Sequence, residues 1–159
     1  MNHEPQIVRI GVTRVGLGVF ACCELEVDQL VAEIRGRIVI DGDYGSEYCV
    51  DLGDDATLEP GEPFRFLNHS CDPNCELILW RSRRVHSRRI SRLWLQTTRA
   101  IAAGDELTID YAWPADAAIR CDCQSKNCRG WIVHPDQLGQ LLPTRPRTSR
   151  RRQHAPAAP

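Results

Sequence analysis

The chain is written in short extended runs separated by turn residues. Ile7-Val8-Arg9-Ile10-Gly11-Val12 is extended and β-branched, and Val19-Phe20-Ala21 follows a Gly16-Leu17-Gly18 segment read as a turn. From Asp28 to Ile40 the sequence DQLVAEIRGRIVI alternates apolar with polar in its second half, as a half-buried strand does, and Gly36 marks a bulge or kink in it. Tyr48, Val50 and Leu52 alternate with Cys49 and Asp51 to give another strand. Leu77-Ile78-Leu79-Trp80 and Leu93-Trp94-Leu95 read as the arms of a hairpin with an arginine-rich tip. After a turn at Ala102-Ala103-Gly104-Asp105, Leu107, Ile109 and Tyr111 share one face of a strand. Helical periodicity is weak everywhere and clearest over 136–142. The pattern therefore predicts a mainly β fold with little helix. Residues 143–159 have no apolar periodicity and read as a disordered Arg/Pro-rich tail.

Composition narrows the class. A chain of 159 residues with 42% apolar residues and four Trp suits one domain with a real core. No apolar run reaches the roughly 18 residues of a membrane span, and the N-terminus lacks a basic-then-apolar leader pattern. Net charge is −1, but it is unevenly spread. Residues 41–62 hold eight acids and no base; residues 81–99 hold seven arginines and no acid; five more arginines follow Leu142. Lys126 is the one lysine. A proteome that uses Arg in place of Lys accounts for this more simply than a lysine-modifying enzyme that spares itself.

Eight cysteines without a leader point to a reducing compartment and to metal or thiol chemistry. Cys22, Cys23, Cys49 and Cys75 sit among strand-like residues and read as small buried apolar groups. Cys121, Cys123 and Cys128 differ, because they place three thiols within eight residues. Structural zinc takes four ligands in a tetrahedron and favours thiolates, so a fourth ligand must come from elsewhere. Cys71, in Asn68-His69-Ser70-Cys71, is the best donor, with Cys75 and His69 as substitutes. Such a closed site has no open position for water. It would pin the C-terminal segment, and Trp131 with it, onto the loop from Asn68 to Asn74.

These residues resemble a known family. RFLNHSCDPNC, Arg65 to Cys75, is similar to the signature of SET-domain protein lysine methyltransferases. GDELTIDY, Gly104 to Tyr111, resembles their second signature. CDCQSKNCRGW, Cys121 to Trp131, resembles their zinc-binding post-SET segment, and VGLGVFA, Val15 to Ala21, their Gly-rich entry motif. The four occur in the family's order and span roughly Val8 to Val133.

The resemblance implies small curled sheets with a threaded, pseudoknot-like C-terminal segment. It also implies S-adenosylmethionine as methyl donor, one structural zinc ion, and a protein lysine as acceptor. The domain pattern it suggests is a SET domain over 1–118, a post-SET zinc segment over 119–135, a short helical segment over 136–142 and the tail over 143–159. By the same resemblance Gly16, Leu17, Gly18, Tyr48, Asn68, His69 and Trp131 contact the donor. Cys71, Cys121, Cys123 and Cys128 hold the metal, and Tyr111 stands where methyl meets amine. A lysine in water has a pKa of about 10.4, so methyl transfer needs a site that favours the neutral amine and aligns it. Entry into a narrow dry channel beside a sulfonium supplies that by desolvation and like-charge repulsion.

No cysteine-rich segment precedes the core. Where some relatives carry Phe or Tyr two positions before the catalytic tyrosine and so limit how many methyls are added, this chain has Ile109. Trp113 either walls the lysine channel or caps the strand. The acidic 41–62 stretch either attracts a basic, histone-like segment or pairs with the chain's own arginines. The stretch 81–92, bounded by Arg81 and Arg92, either contacts acidic protein surface or nucleic acid, or is a solvated hairpin. The absence of regulatory domains suggests a cytoplasmic bacterial protein, with export as an effector left open. Two other readings are a catalytically idle adaptor that binds the donor, and a zinc-stabilised nucleic-acid-binding module. The latter leaves the NHSC and ELTIDY segments without a purpose.

Overall fold

The computed structural model describes residues 6–81 and 91–141. The hairpin tip, 82–90, and the tail, 143–159, lie outside the described residues. In chain order the strands are β1 (Val8–Thr13), β2 (Gly16–Ala21), β3 (Leu30–Ile34), β4 (Gly36–Ile40), β5 (Val50–Gly53), β6 (Ala56–Pro60), β7 (Asn68–His69), β8 (Cys75–Arg81), β9 (Ser91–Thr97), β10 (Glu106–Ile109), β11 (Ile119–Arg120) and β12 (Trp131–Ile132). A 3-10 turn at Pro135–Gln137 leads into the short helix α1 (Leu138–Leu141). The mainly β reading with little helix is what the structure has.

The strands form four small sheets, in the orders β1-β2-β10-β7, β3-β9-β8, β4-β6-β5 and β11-β12. One core joins the three larger sheets. Val19, Leu95 and Leu107 are sealed from solvent within it, and Leu25, Ile34, Leu58, Leu67 and Ile101 pack around them. Each faces inward because it lies on the apolar parity of its strand or on the turn that closes it.

The site is positioned by β10. It runs antiparallel to β2 and parallel to β7, so it holds together two parts of the chain far apart in sequence. The loop after β7 is then stitched to it. Ser70 N donates to Ile109 O at 2.9 Å, Asn74 Nδ2 donates to Glu106 O at 2.8 Å, and Asn74 Oδ1 accepts from Thr108 N at 2.8 Å. One asparagine side chain thus completes a strand edge with both its donor and its acceptor, leaving no backbone group there unpaired. This is the pseudoknot-like arrangement that the resemblance implies.

Several local expectations change. Gly16-Leu17-Gly18 is strand, not turn; the reversal falls at Arg14-Val15, with Thr13 opposite Gly16. Gly16 takes φ 125° to close it. Gly18 is required for another reason: a Cβ there would meet Thr13 Cγ2 and Glu106 Oε1 at 2.5 Å. Tyr48 precedes β5 in a loop. Residues 28–40 form two strands in separate sheets, so Gly36 is a point of close approach and not a kink within one strand. Its absent side chain would meet the Glu59 carbonyl oxygen at 2.0 Å. Gly36→Ala is therefore expected to part β4 from β6 and cost about 3 kcal/mol, read as a fall in the urea midpoint. Cys75 is buried as expected, but Cys22 and Cys23 are exposed because they fall in the bend after β2, and Cys49 is half-buried.

Candidate functional site

Three of the four thiols expected at the metal come together. Cys71 on the loop after β7 meets Cys121 and Cys123 beside the β11-β12 ladder. The sulfurs of Cys71 and Cys121 are 3.6 Å apart, and Cys71 N donates to Cys123 Sγ at 3.4 Å. A tetrahedron with zinc–sulfur bonds of about 2.3 Å has edges of about 3.8 Å, so the donor set fits zinc. His69 Nε2, Cys71, Cys121 and Cys123 bring their ligand atoms within 4.8 Å of one another. Cys128, the fourth expected thiol, is exposed and outside this group; its Sγ accepts from Gly130 N at 3.4 Å. Cys75 is elsewhere, sealed into β8.

Electrostatics distinguish the thiols. Burial pushes the Cys71 and Cys121 thiols up. At Cys123 burial works the same way, but N–H donors from Cys71 and Ser125 and the Ser125 hydroxyl overcome it and hold this thiol low, at about 6. One thiolate is therefore present at neutral pH to receive a cation.

His69 has a different task. Its side chain is 3% exposed, and burial keeps it neutral despite the nearby Asp110 carboxylate. Its Nδ1 accepts from Tyr111 N at 3.2 Å, so the ring proton is assigned to Nε2, which faces Cys71 Sγ at 3.3 Å. A protonated Nε2 donates to a thiolate and cannot ligate metal. His69 thus joins the thiol cluster to the backbone of Tyr111.

Tyr111 lies just past the end of β10. Its hydroxyl donates to Leu67 O at 2.7 Å, and burial, with Tyr48 and Glu106 adding, pushes its pKa up to about 12. It is a neutral phenol at any physiological pH, with its oxygen lone pairs still available. The chain then bends: Ala112 takes φ 48°, and its N–H donates to Asp110 Oδ1 at 3.1 Å. That bend folds Trp113 back on Tyr111, with ring centroids 5.4 Å apart. Trp113 is a wall, not merely a strand cap.

Tyr111 and Trp113 face a cavity of about 790 Å³. Tyr48, Ile109 and Leu67 also line it, and Glu47, Asp51, Asp54, Asp55 and Asp110 make it acidic. The acidic loop is anchored by Glu59, which accepts from Ser46 Oγ at 2.6 Å and Tyr44 Oη at 3.1 Å. Arg65 stacks on Tyr48, 4.5 Å from the ring centroid. The acidic stretch thus forms a wall of this cavity; its described link to the arginine hairpin is Arg81 Nη2 donating to Leu52 O at 3.5 Å.

The remaining residues assigned by resemblance gather around Asn68. Asn68 Nδ2 donates to Leu17 O at 2.9 Å and to Glu106 Oε1 at 2.7 Å. That places Gly16, Leu17, Gly18, Asn68 and His69 together, with open space beside Gly16. Trp131 joins through its carbonyl, 3.9 Å from Cys71 Sγ, and its ring carries the Arg120 guanidinium at 4.0 Å. Tyr48 stands apart from this group, in the cavity with Tyr111.

Sequence reasoning missed three residues. Glu106 orients Asn68. Asn74 stitches the loop. Arg129 is the clamp: its Nη2 donates to Asp110 Oδ1 at 2.8 Å and to Val133 O at 3.1 Å, with side chains 14% and 22% exposed. The signals were the acid before LTIDY and the arginine directly after Cys128. Arg129→Met is expected to leave the Asp110 carboxylate without its cation and cost about 2 kcal/mol. Hydrogen exchange should rise selectively over 119–133.

Comparisons with known proteins agree with this arrangement. The family model of the SET domain matches residues 16–112. Histone-lysine N-methyltransferase ASHR3 of Arabidopsis thaliana is 30% identical over 82% of this chain and 29% of its own length. An H3 lysine-4 specific histone-lysine N-methyltransferase of Schizosaccharomyces pombe is 31% identical over 83% of this chain and 16% of its own. The chain spans less than a third of these curated relatives. KRYPTONITE, solved with mCHH DNA, an H3(1-15) peptide and SAH, superposes with a TM-score of 0.66 at 24% identity, covering 79% of this chain and 29% of that one. A Plasmodium falciparum protein described as a histone methyltransferase gives a TM-score of 0.56 at 18% identity, covering 70% and 98%.

Proposed function

Because the chain belongs to the SET-domain family, we propose that it is a protein-lysine N-methyltransferase that uses S-adenosylmethionine and carries one structural zinc ion. The observation that carries this reading is Tyr111. It is a buried, neutral phenol that lines the acidic cavity while its own backbone rests on His69, beside the Gly16 and Asn68 segments.

Bound there, the donor supplies an electrophilic methyl on a sulfonium. Gly16, Leu17, Gly18, Asn68, His69 and Trp131 would hold it, glycine at 16 leaving main chain free to approach. The target lysine would enter from the cavity between Trp113 and Tyr48. Desolvation there favours its neutral form, and the ammonium's proton leaves to water before transfer. Tyr111 Oη, its hydrogen directed at Leu67 O, accepts an N–H from the amine and so aims the nitrogen lone pair at the methyl. The new C–N bond would form as the C–S bond breaks, and the product would leave as the methylammonium, the one proton released being that lost from the lysine ammonium beforehand. Tyr48, from its place in the cavity, acts on this amine side.

Cys71, Cys121, Cys123 and Cys128 would hold the metal, since His69 lacks a free lone pair toward it. The acidic wall favours a basic segment around the target lysine, which suits a histone-like tail and the names of the relatives. Among the described residues no helix is long and apolar enough to cross a membrane. The test is mass spectrometry of lysate proteins incubated with the protein and labelled S-adenosylmethionine. Methylated lysines are expected with the wild type and absent with Tyr111→Phe. Tight donor binding with no methylated acceptor would favour the idle adaptor instead.

A further inference from the structure

Resting on that reading, we propose that Arg14 is a positioning residue for the methyl donor, tying the Gly-rich hairpin to the thiol segment and so setting the gap the donor enters. Arg14 is the first residue of the β1-β2 turn, two before Gly16. Its Nη1 donates to Asp122 Oδ2 at 2.5 Å, and its Nη2 donates to the carbonyl of the same residue. Asp122 lies between Cys121 and Cys123, so its backbone is fixed wherever those sulfurs are fixed. One guanidinium thereby grips both the side chain and the main chain of a single residue 108 positions away, which sets direction as well as distance.

Besides the ladder to β10, the turn end of the hairpin is held by two side chains. Asn68 holds Leu17 O from the β7 side, and Arg14 holds the turn from the metal side. Gly16, with φ 125° and open space where a Cβ would stand, lies between the two holds. Without Arg14 the strand past Gly16 keeps its ladders and the Asn68 anchor, but the turn loses its tie to Asp122. With side chains 47% and 72% exposed, the pair works in water, is weakened by salt and contributes modestly to folding. Its effect is therefore on how long the donor stays, not on whether the domain folds.

The experiment uses the zinc-loaded full chain and calorimetric titration with S-adenosylhomocysteine, alongside steady-state kinetics. Arg14→Gln is expected to raise Kd and the donor KM roughly fivefold, with kcat changed less than about twofold. The reversed pair, Arg14→Asp with Asp122→Arg, should recover most of the loss at unchanged zinc content and Tm. The difference between wild type and Arg14→Gln should close as salt is raised. Equal Kd for wild type and Arg14→Gln at low salt, or a loss confined to kcat, overturns the inference and leaves the proposed function standing. Failure of the wild type itself to bind S-adenosylhomocysteine would overturn both.

Discussion

Tyr111→Phe is expected to lower kcat by about 100- to 1000-fold while the donor KM stays within about twofold. The ring remains, so the stacking on Trp113 and the packing against the core are kept. What disappears is the oxygen proposed to meet the amine. The Leu67 carbonyl also loses its donor, at a cost of about 1 kcal/mol, small beside the stability of a folded domain. A loss of structure would instead reduce donor binding and activity together, so the split between kcat and KM separates the two. The pH profile adds a second check. The amine must be neutral, so kcat/KM should rise with pH through the neutral range. Because Tyr111 holds its proton up to about 12, no descending limb from this phenol should appear below about pH 10.

Stripping the metal should have the other large effect. The segment from β11 to β12 makes a ladder of only two residue pairs, too little to stand alone. It is held instead by sulfur at Cys71, Cys121 and Cys123 and by the Arg129 clamp. Structural zinc contributes on the order of 10 kcal/mol in small sites, far more than Arg129 can. A strong chelator is therefore expected to release residues 119–133, raise their hydrogen exchange, change Trp131 fluorescence and weaken S-adenosylhomocysteine binding more than about tenfold, all with one midpoint. Cys121→Ser should reproduce these changes. Thiolates must lose protons to bind metal, so acidification should release zinc and produce the same state. Active protein with no zinc by metal analysis would remove the claim.

The two effects have one structural root. Tyr111 N rests on His69 Nδ1, and His69 Nε2 faces Cys71 Sγ. The thiol cluster thus supports the backbone of Tyr111 as well as the segment from β11 to β12. Metal loss should accordingly lower kcat in the fraction that still binds donor, whereas Arg14→Gln should not.

How far the sequence carried the account depends on the range of each contact. The thiols at 121, 123 and 128 stand out by spacing; a ligand count asks for a fourth donor, for which Cys71 is the first choice with Cys75 and His69 as substitutes, and the structure brings Cys71 and His69 to Cys121 and Cys123. The strands β8, β9 and β10 follow from alternation, because their neighbours in sequence decide them. Gly18 was misread as a turn residue because a strand glycine that yields space to Glu106 and Asn68 looks, locally, like any glycine, and so does Gly16, whose φ of 125° closes the reversal before it. The loop at 68–74 was not legible as a stitched loop from local pattern, since Asn74 finds its partners more than thirty residues on. Arg129 was invisible for the same reason: its meaning lies in Asp110. Tyr48, read by resemblance as a donor contact, lines the cavity with Tyr111, and the sequence gives no sign of where so distant a loop will reach. Cys22 and Cys23 read as buried because a bend after a strand keeps the strand's composition.

The most direct test is transfer itself. Purified, zinc-loaded protein is incubated with S-adenosylmethionine labelled in its methyl group and a basic histone tail peptide, and the peptide is sequenced by tandem mass spectrometry. The account predicts label on a lysine Nε, abolished by Tyr111→Phe. Wild-type protein that binds S-adenosylhomocysteine and yet leaves every lysine unlabelled, or labels another atom, would contradict it.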